Sequence, residues 1–110
     1  MRRPLNHFIR RVQIEGNSMW PTYRPGQRLT AVKPWRKIRP SDVVVVRDPR
    51  GHDRWLLKRC VARYGNQLEL RGDNPQASTD SRDFGHVPQR DVAYIVVTKA
   101  APDRKTRPRR

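Results

Sequence analysis

The stretch WLLKRCVARYGNQLELR, Trp55 to Arg71, decides the fold. Two runs rich in apolar residues, Trp55 to Arg63 and Gln67 to Arg71, flank the pair Gly65-Asn66. Side chains in a strand alternate between faces, and a Gly-containing turn between two such runs is a hairpin signal. A period near two, not 3.6, also governs the sequence on either side. Upstream, DVVVVR (Asp42 to Arg47) is a β-branched run between Pro40 and Pro49, suited to a buried strand. QRLTAV (Gln27 to Val32) reads as a strand after the Pro25-Gly26 turn, and Phe8 to Ile14 alternates loosely before Gly16. Downstream, VAYIVVTK (Val92 to Lys99) reads as the last strand. Ten prolines argue against long helices. The expectation is an all-β domain with one long polar loop, Gly72 to Asp91, of a length that in a small domain usually serves a function or is disordered.

The 110 residues suit one domain with a modest core, read here as residues 1–99 followed by a basic disordered tail, 100–110. The longest apolar runs, Val43 to Val46 and Val92 to Val97, fall far short of the roughly 20 residues that cross a bilayer. The start, MRRPLNHFIRR, lacks the apolar core of a secretory signal. A single cysteine, Cys60, cannot form an intramolecular disulfide, which fits a reducing compartment. Its spacing from the three histidines matches no metal-ligand pattern, so neither metal nor cofactor is expected.

The formal charge of +15 attracts nucleic acid, anionic lipid or acidic protein surface. The charge is spread along the chain, as on an ordinary solvated face, and peaks in DRKTRPRR (Asp103 to Arg110). A non-catalytic, basic, nucleic-acid-binding β-domain remains an alternative. Against it, Trp20, Trp35, Trp55 and Phe84 are scattered rather than interleaved with arginine as in a base-stacking platform.

Alternation along the first run of the hairpin puts Leu56, Lys58, Cys60 and Ala62 on one face. If that face turns to the core, the Lys58 ammonium loses water, and full burial lowers a lysine pKa by up to about 3–5 units. An ordinary lysine is neutral only about once in 2,500 at pH 7, which makes it a poor base. Lowering its pKa to about 7 costs roughly 4–5 kcal/mol of differential solvation and yields a base poised near working pH. Serine–lysine pairing is a known variant of the nucleophile–base arrangement. The serine to pair with it stands in EGNSMWPTYRPG (Glu15 to Gly26), where Ser18 has no histidine nearby in sequence. Taken singly, each residue also has an ordinary reading. A strand lysine snorkels to water, and a serine before a proline-rich turn is turn chemistry. His7, His52 and His86 stand as other bases and Cys60 as another nucleophile, though none sits in a motif.

Four segments in order change that balance. GNSMWPT resembles the nucleophile motif of the type I signal peptidase family, PSDVVVVRDP its following strand, and LLKRCV its base-bearing strand. GDNPQASTDSRDFGHVP resembles its signature loop. The first motif is shared with the LexA-like repressor autoproteases; the last is far more specific. Together they span about Val12 to Val97. The resemblance implies a small, partly closed β-barrel or folded sheet. It implies that Ser18 is the nucleophile and Lys58 the general base, and that Ser78 orients the lysine amine. Asp80 and Arg82 match a supporting loop pair, while Met19 and Pro21 match positions that shape the turn.

Departures from the family pattern matter too. Signal peptidases of this type usually carry a membrane anchor ahead of the serine, and none is read here. Larger members insert a second β-domain after the lysine strand; here Arg59 to Arg71 leaves room only for a hairpin. Some members place a serine two residues before the nucleophile as an oxyanion donor, and here that position is Gly16. A missing donor matters by ~2.7–4 kcal/mol. SMWPTYRPGQRL and NPQASTDSR look most like the anchorless nickel-type superoxide dismutase maturation proteases. That resemblance implies a cytoplasmic serine endopeptidase that removes an N-terminal extension from a precursor bound as an extended strand, without nucleic acid. The alternative is a signal peptidase acting on secretory signal peptides through peripheral membrane contact.

Overall fold

The computed structural model describes residues 8–51, 53–77 and 84–98. Seven antiparallel strands form one sheet: β1 (Ile9–Gln13), β2 (Arg28–Val32), β3 (Val43–Arg47), β4 (Trp55–Tyr64), β5 (Gln67–Arg71), β6 (Val87–Pro88) and β7 (Val92–Val96). Their order across the sheet is β1-β2-β7-β3-β4-β5-β6. The all-β expectation holds, and the sheet is folded but not closed, since β1 and β6 end the ladder.

The expected hairpin is β4–β5, turning at Gly65 with φ +61°, a left-handed value that glycine adopts without steric cost. A bulge between Cys60 and Ala62 shifts the register, so Cys60 faces Leu70 and Ala62 faces Glu69. The other expected strands appear with ends one to three residues shorter, as fraying ends do. The segment expected to be an unbroken polar loop ends differently. Val87–Pro88 adds a short edge strand against Gln67 and Leu68, and Gln89–Asp91 forms a 3-10 turn leading into β7. Pro88 lacks an N–H, which an edge strand tolerates. The tail 100–110 lies outside the described residues.

Packing follows from the valine run. Val43 to Val46 are all buried, so β3 is covered on both faces. Val44 and Val46 join Ile38, Cys60, Leu68, Leu70, Val87, Val92 and Ile95 in the larger core. Val43 joins Ile14, Met19, Tyr23 and Leu29 in the smaller one. This second cluster buries Met19 almost completely and so anchors the turn that carries Ser18.

The sheet leaves two strand edges open toward each other. Among the described residues, β1 pairs only with β2. In β4, Trp55 to Arg59 pair with β3, but β5 begins pairing only at Arg59. Trp55 to Leu57 therefore have a strand on one side only, among the described residues.

Candidate active site

A cleft of about 980 Å³ opens between these two edges. β1 contributes Arg10 to Gln13, the following turn contributes Ile14 to Met19, and Arg54 to Lys58 form the opposite wall. Ser18 and Lys58, 40 residues apart in sequence, both line it.

Lys58 occupies the register position opposite Val44, on the face it shares with Leu56 and Cys60. Only 3% of it is exposed. The alternation read from the sequence thus puts this lysine inside rather than snorkelling to water. Ser18 is half-buried at the turn. Its backbone N–H has no protein acceptor among the described residues.

The turn is held from behind by the loop that follows β5. Asn74 donates its backbone N–H to the Ser18 carbonyl at 2.8 Å, and its side-chain amide donates to the Asn17 carbonyl at 3.1 Å. One residue earlier, Asp73 accepts from the Thr22 hydroxyl at 2.5 Å and from both Nε and a terminal nitrogen of Arg59 at 2.9 and 2.8 Å. A second terminal nitrogen of Arg59 donates to the Ser41 carbonyl. Arg59 follows Lys58 in β4, and Thr22 lies four residues after Ser18. One carboxylate therefore ties the serine turn to the lysine strand. Burial pushes the Asp73 carboxyl up, but the bonds from Arg59 and Thr22 outweigh it, and the group is held below its ordinary value. The bond to Asp73 raises the Arg59 guanidinium in turn.

Gly16 also lines the cleft, at φ +76°. A Cβ there would meet nothing within 4 Å, but any L side chain would be strained by the backbone. The geometry favours glycine at this position. Pro21 is exposed after a cis bond from Trp20, and Met19 sits in the core beneath the turn.

Ser78, Asp80 and Arg82, expected to support the site, lie outside the described residues, as do His7 and His52. Ala77, one residue before Ser78, does reach the cleft wall. His86 stacks on Tyr64 at 5.3 Å and lines a separate recess with Arg47, Asp48 and Asp91, away from Ser18. Cys60 is fully buried in the larger core, where burial raises its thiol pKa; it is not among the cleft residues. Thr22, Arg59 and Asn74 were not singled out from the sequence. Arg59 looked like one more arginine in a basic chain, and Asn74 like a turn residue. Their one sequence signal was their place inside the quoted segments GNSMWPT, LLKRCV and GDNPQASTDSRDFGHVP.

A family model described as signal peptidase, peptidase S26, matches residues 5–74. That is well over half of the chain, and it includes both Ser18 and Lys58. The chain belongs to the signal peptidase family. The mitochondrial ATP-independent inner membrane protease subunit 1a of Arabidopsis thaliana is 32% identical over 108 aligned residues, covering 74% of this chain. The alignment covers 64% of that relative's length. No helix among the described residues is long and apolar enough to cross a membrane.

Proposed function

We propose that this signal peptidase family member is a serine endopeptidase in which Ser18 attacks and Lys58 serves as general base. The supporting observation is that a buried lysine of β4 and a half-buried serine of the turn after β1, far apart in sequence, line one cleft and lie inside the matched region. Burial disfavours an ammonium, which is the condition for an amine to accept a proton. The substrate chain lies extended between the open edges of β1 and β4, where backbone hydrogen bonds supply affinity. Ser18 Oγ attacks the scissile carbonyl as Lys58 takes its proton. The negative oxygen meets the Ser18 N–H. Lys58 returns the proton to the leaving amine, and water then hydrolyses the acyl-enzyme with Lys58 again as base. Ser78 accepts a hydrogen bond from the amine and directs it, and Asp80 with Arg82 supports that loop.

The finer reading is removal of an N-terminal extension from a cytoplasmic precursor, a nickel superoxide dismutase precursor being the first choice. It rests on the resemblance of SMWPTYRPGQRL and NPQASTDSR to the maturation proteases. The second reading is cleavage of signal peptides at a membrane surface, favoured by the relative named as an inner membrane protease. Incubation with the nickel superoxide dismutase precursor and with a secretory precursor, followed by mass measurement of the new N-terminus, separates them. A cut in the first alone supports processing of the metalloenzyme. A cut in the second alone transfers the chain to secretion, and no cut in either removes both substrates.

A further inference from the structure

The cleft is not uniform along its length. A strand rises about 3.3 Å per residue, so Trp55 and Arg54 stand roughly 10–13 Å from Lys58 along β4. Tyr94 of β7 joins them there, with its ring edge-on to Trp55 at 6.5 Å. Arg10 of β1 closes that end, since its Nε donates to the Tyr94 hydroxyl at 3.0 Å and its guanidinium lies 6.0 Å from the ring centre. Arg11 is exposed beside it on the same cleft wall.

The charges of this end are only partly compensated. Arg54 is paired with Asp48, which also binds Arg50. Neither Arg10 nor Arg11 has a carboxylate partner among the described residues. Glu15, near Ser18, is the cleft's one carboxylate among its lining residues. Trp55 is 52% exposed, with Arg47 stacked over it at 4.4 Å. Arg47, over Trp55, already has Asp53 as its partner. Arg10, held over the Tyr94 ring by the Tyr94 hydroxyl and without a carboxylate among the described residues, is placed to receive one, with Arg11 exposed next to it.

We propose that the arginine end of the cleft, Arg10, Arg11 and Arg54 beside Trp55 and Tyr94, selects extended peptides bearing acidic side chains three to five residues from the scissile bond. This rests on reading the cleft as the peptide site, and it adds a substrate class to that reading. The contacts lie away from the reacting atoms. They are made equally before and during reaction, so they lower KM and leave kcat nearly alone.

The test uses the full chain carrying Ser18→Ala, titrated by calorimetry with twelve-residue peptides. Each has alanines around the intended cut and Asp, Asn or Lys at the third to fifth residues, on one side of the cut in one series and on the other side in a second. In one of the two series, a single Asp should bind about fivefold tighter than Asn, with Lys weakest. That advantage should shrink from about 50 to 500 mM salt, because the screening length shortens as salt rises. Arg10→Gln with Arg11→Gln should abolish it. Arg90→Gln, an exposed arginine outside the cleft, should preserve it. Equal affinities in both series, no binding of any peptide, or an advantage that Arg90→Gln erodes as much as the cleft pair does would overturn the proposal. Parallel cleavage by the unmodified protein separates the two claims: selective binding without cutting defeats the reaction alone, and indiscriminate cutting defeats the selection alone.

Discussion

Asn74 holds the Ser18 carbonyl: its backbone N–H meets Ser18 O at 2.8 Å while its side chain grips Asn17 O at 3.1 Å. The loop after β5 is thus a brace for the turn that carries Ser18. Asn74→Ala removes the side-chain bond and keeps the backbone one. The expected cost is about 1 kcal/mol of stability, read as a lower urea midpoint. The turn moves with it, so kcat should fall more than KM rises, which peptide-cleavage kinetics will show.

Asp73 makes the larger connection, between the turn and the lysine strand. Asp73→Ala leaves the mostly buried Arg59 guanidinium without its carboxylate. Removing one member of such a pair costs more than the pair contributes, because the other stays desolvated. We expect roughly 2–3 kcal/mol of destabilisation, with Arg59→Ala similar and the double variant clearly less than additive. A double-mutant cycle in urea measures that coupling; strict additivity would remove the tie.

Acid should find the same groups. Bonds from Arg50, outweighing burial, hold the Asp48 carboxyl well below the ordinary carboxylate range, with Arg54 adding to them. Asp73 is held below its ordinary value as well. A folded value below the unfolded one, about 3.9, gives stability that is fully present above that pH and drains away below it. The melting temperature should therefore be flat from pH 7 to about 5 and fall steeply under pH 4. Asp48→Asn should lower the plateau and flatten the acid limb, and scanning calorimetry across pH 2–7 follows both.

Gly16 tests the backbone of the turn. Its φ of +76° penalises any side chain though space is open. Gly16→Ala should cost about 1–2 kcal/mol, read by urea unfolding. If the cost were nil, the turn would be relaxing to another conformation.

Most of the fold was legible because it rests on alternation and turn chemistry, which are local. Val43 to Val46 and the Gly65-Asn66 hairpin announced a buried strand and its neighbours without help from tertiary structure. β6 was not legible, since two residues carrying a proline hold no period. Lys58 was legible by parity, as its burial opposite Val44 shows. Its meeting with Ser18 was not: it needs a folded sheet that brings β1 and β4 to one cleft, and only the resemblance of the motifs joined them beforehand. The Arg59–Asp73–Thr22 connection was invisible for the same reason, being three ordinary polar residues until the chain returns on itself.

The central claim is that Lys58 takes the proton of Ser18. Its most direct test is kcat/KM on one cleaved precursor, measured from pH 5 to 9 for the unmodified chain, Ser18→Ala and Lys58→Met, the last keeping an unbranched chain in the buried site. The account predicts activity that rises with pH in the unmodified chain and a drop of about 10²–10⁴-fold for Lys58→Met, with Ser18→Ala at least as severe. A Lys58→Met variant that cuts at the full rate, or a flat profile across that range, would contradict it.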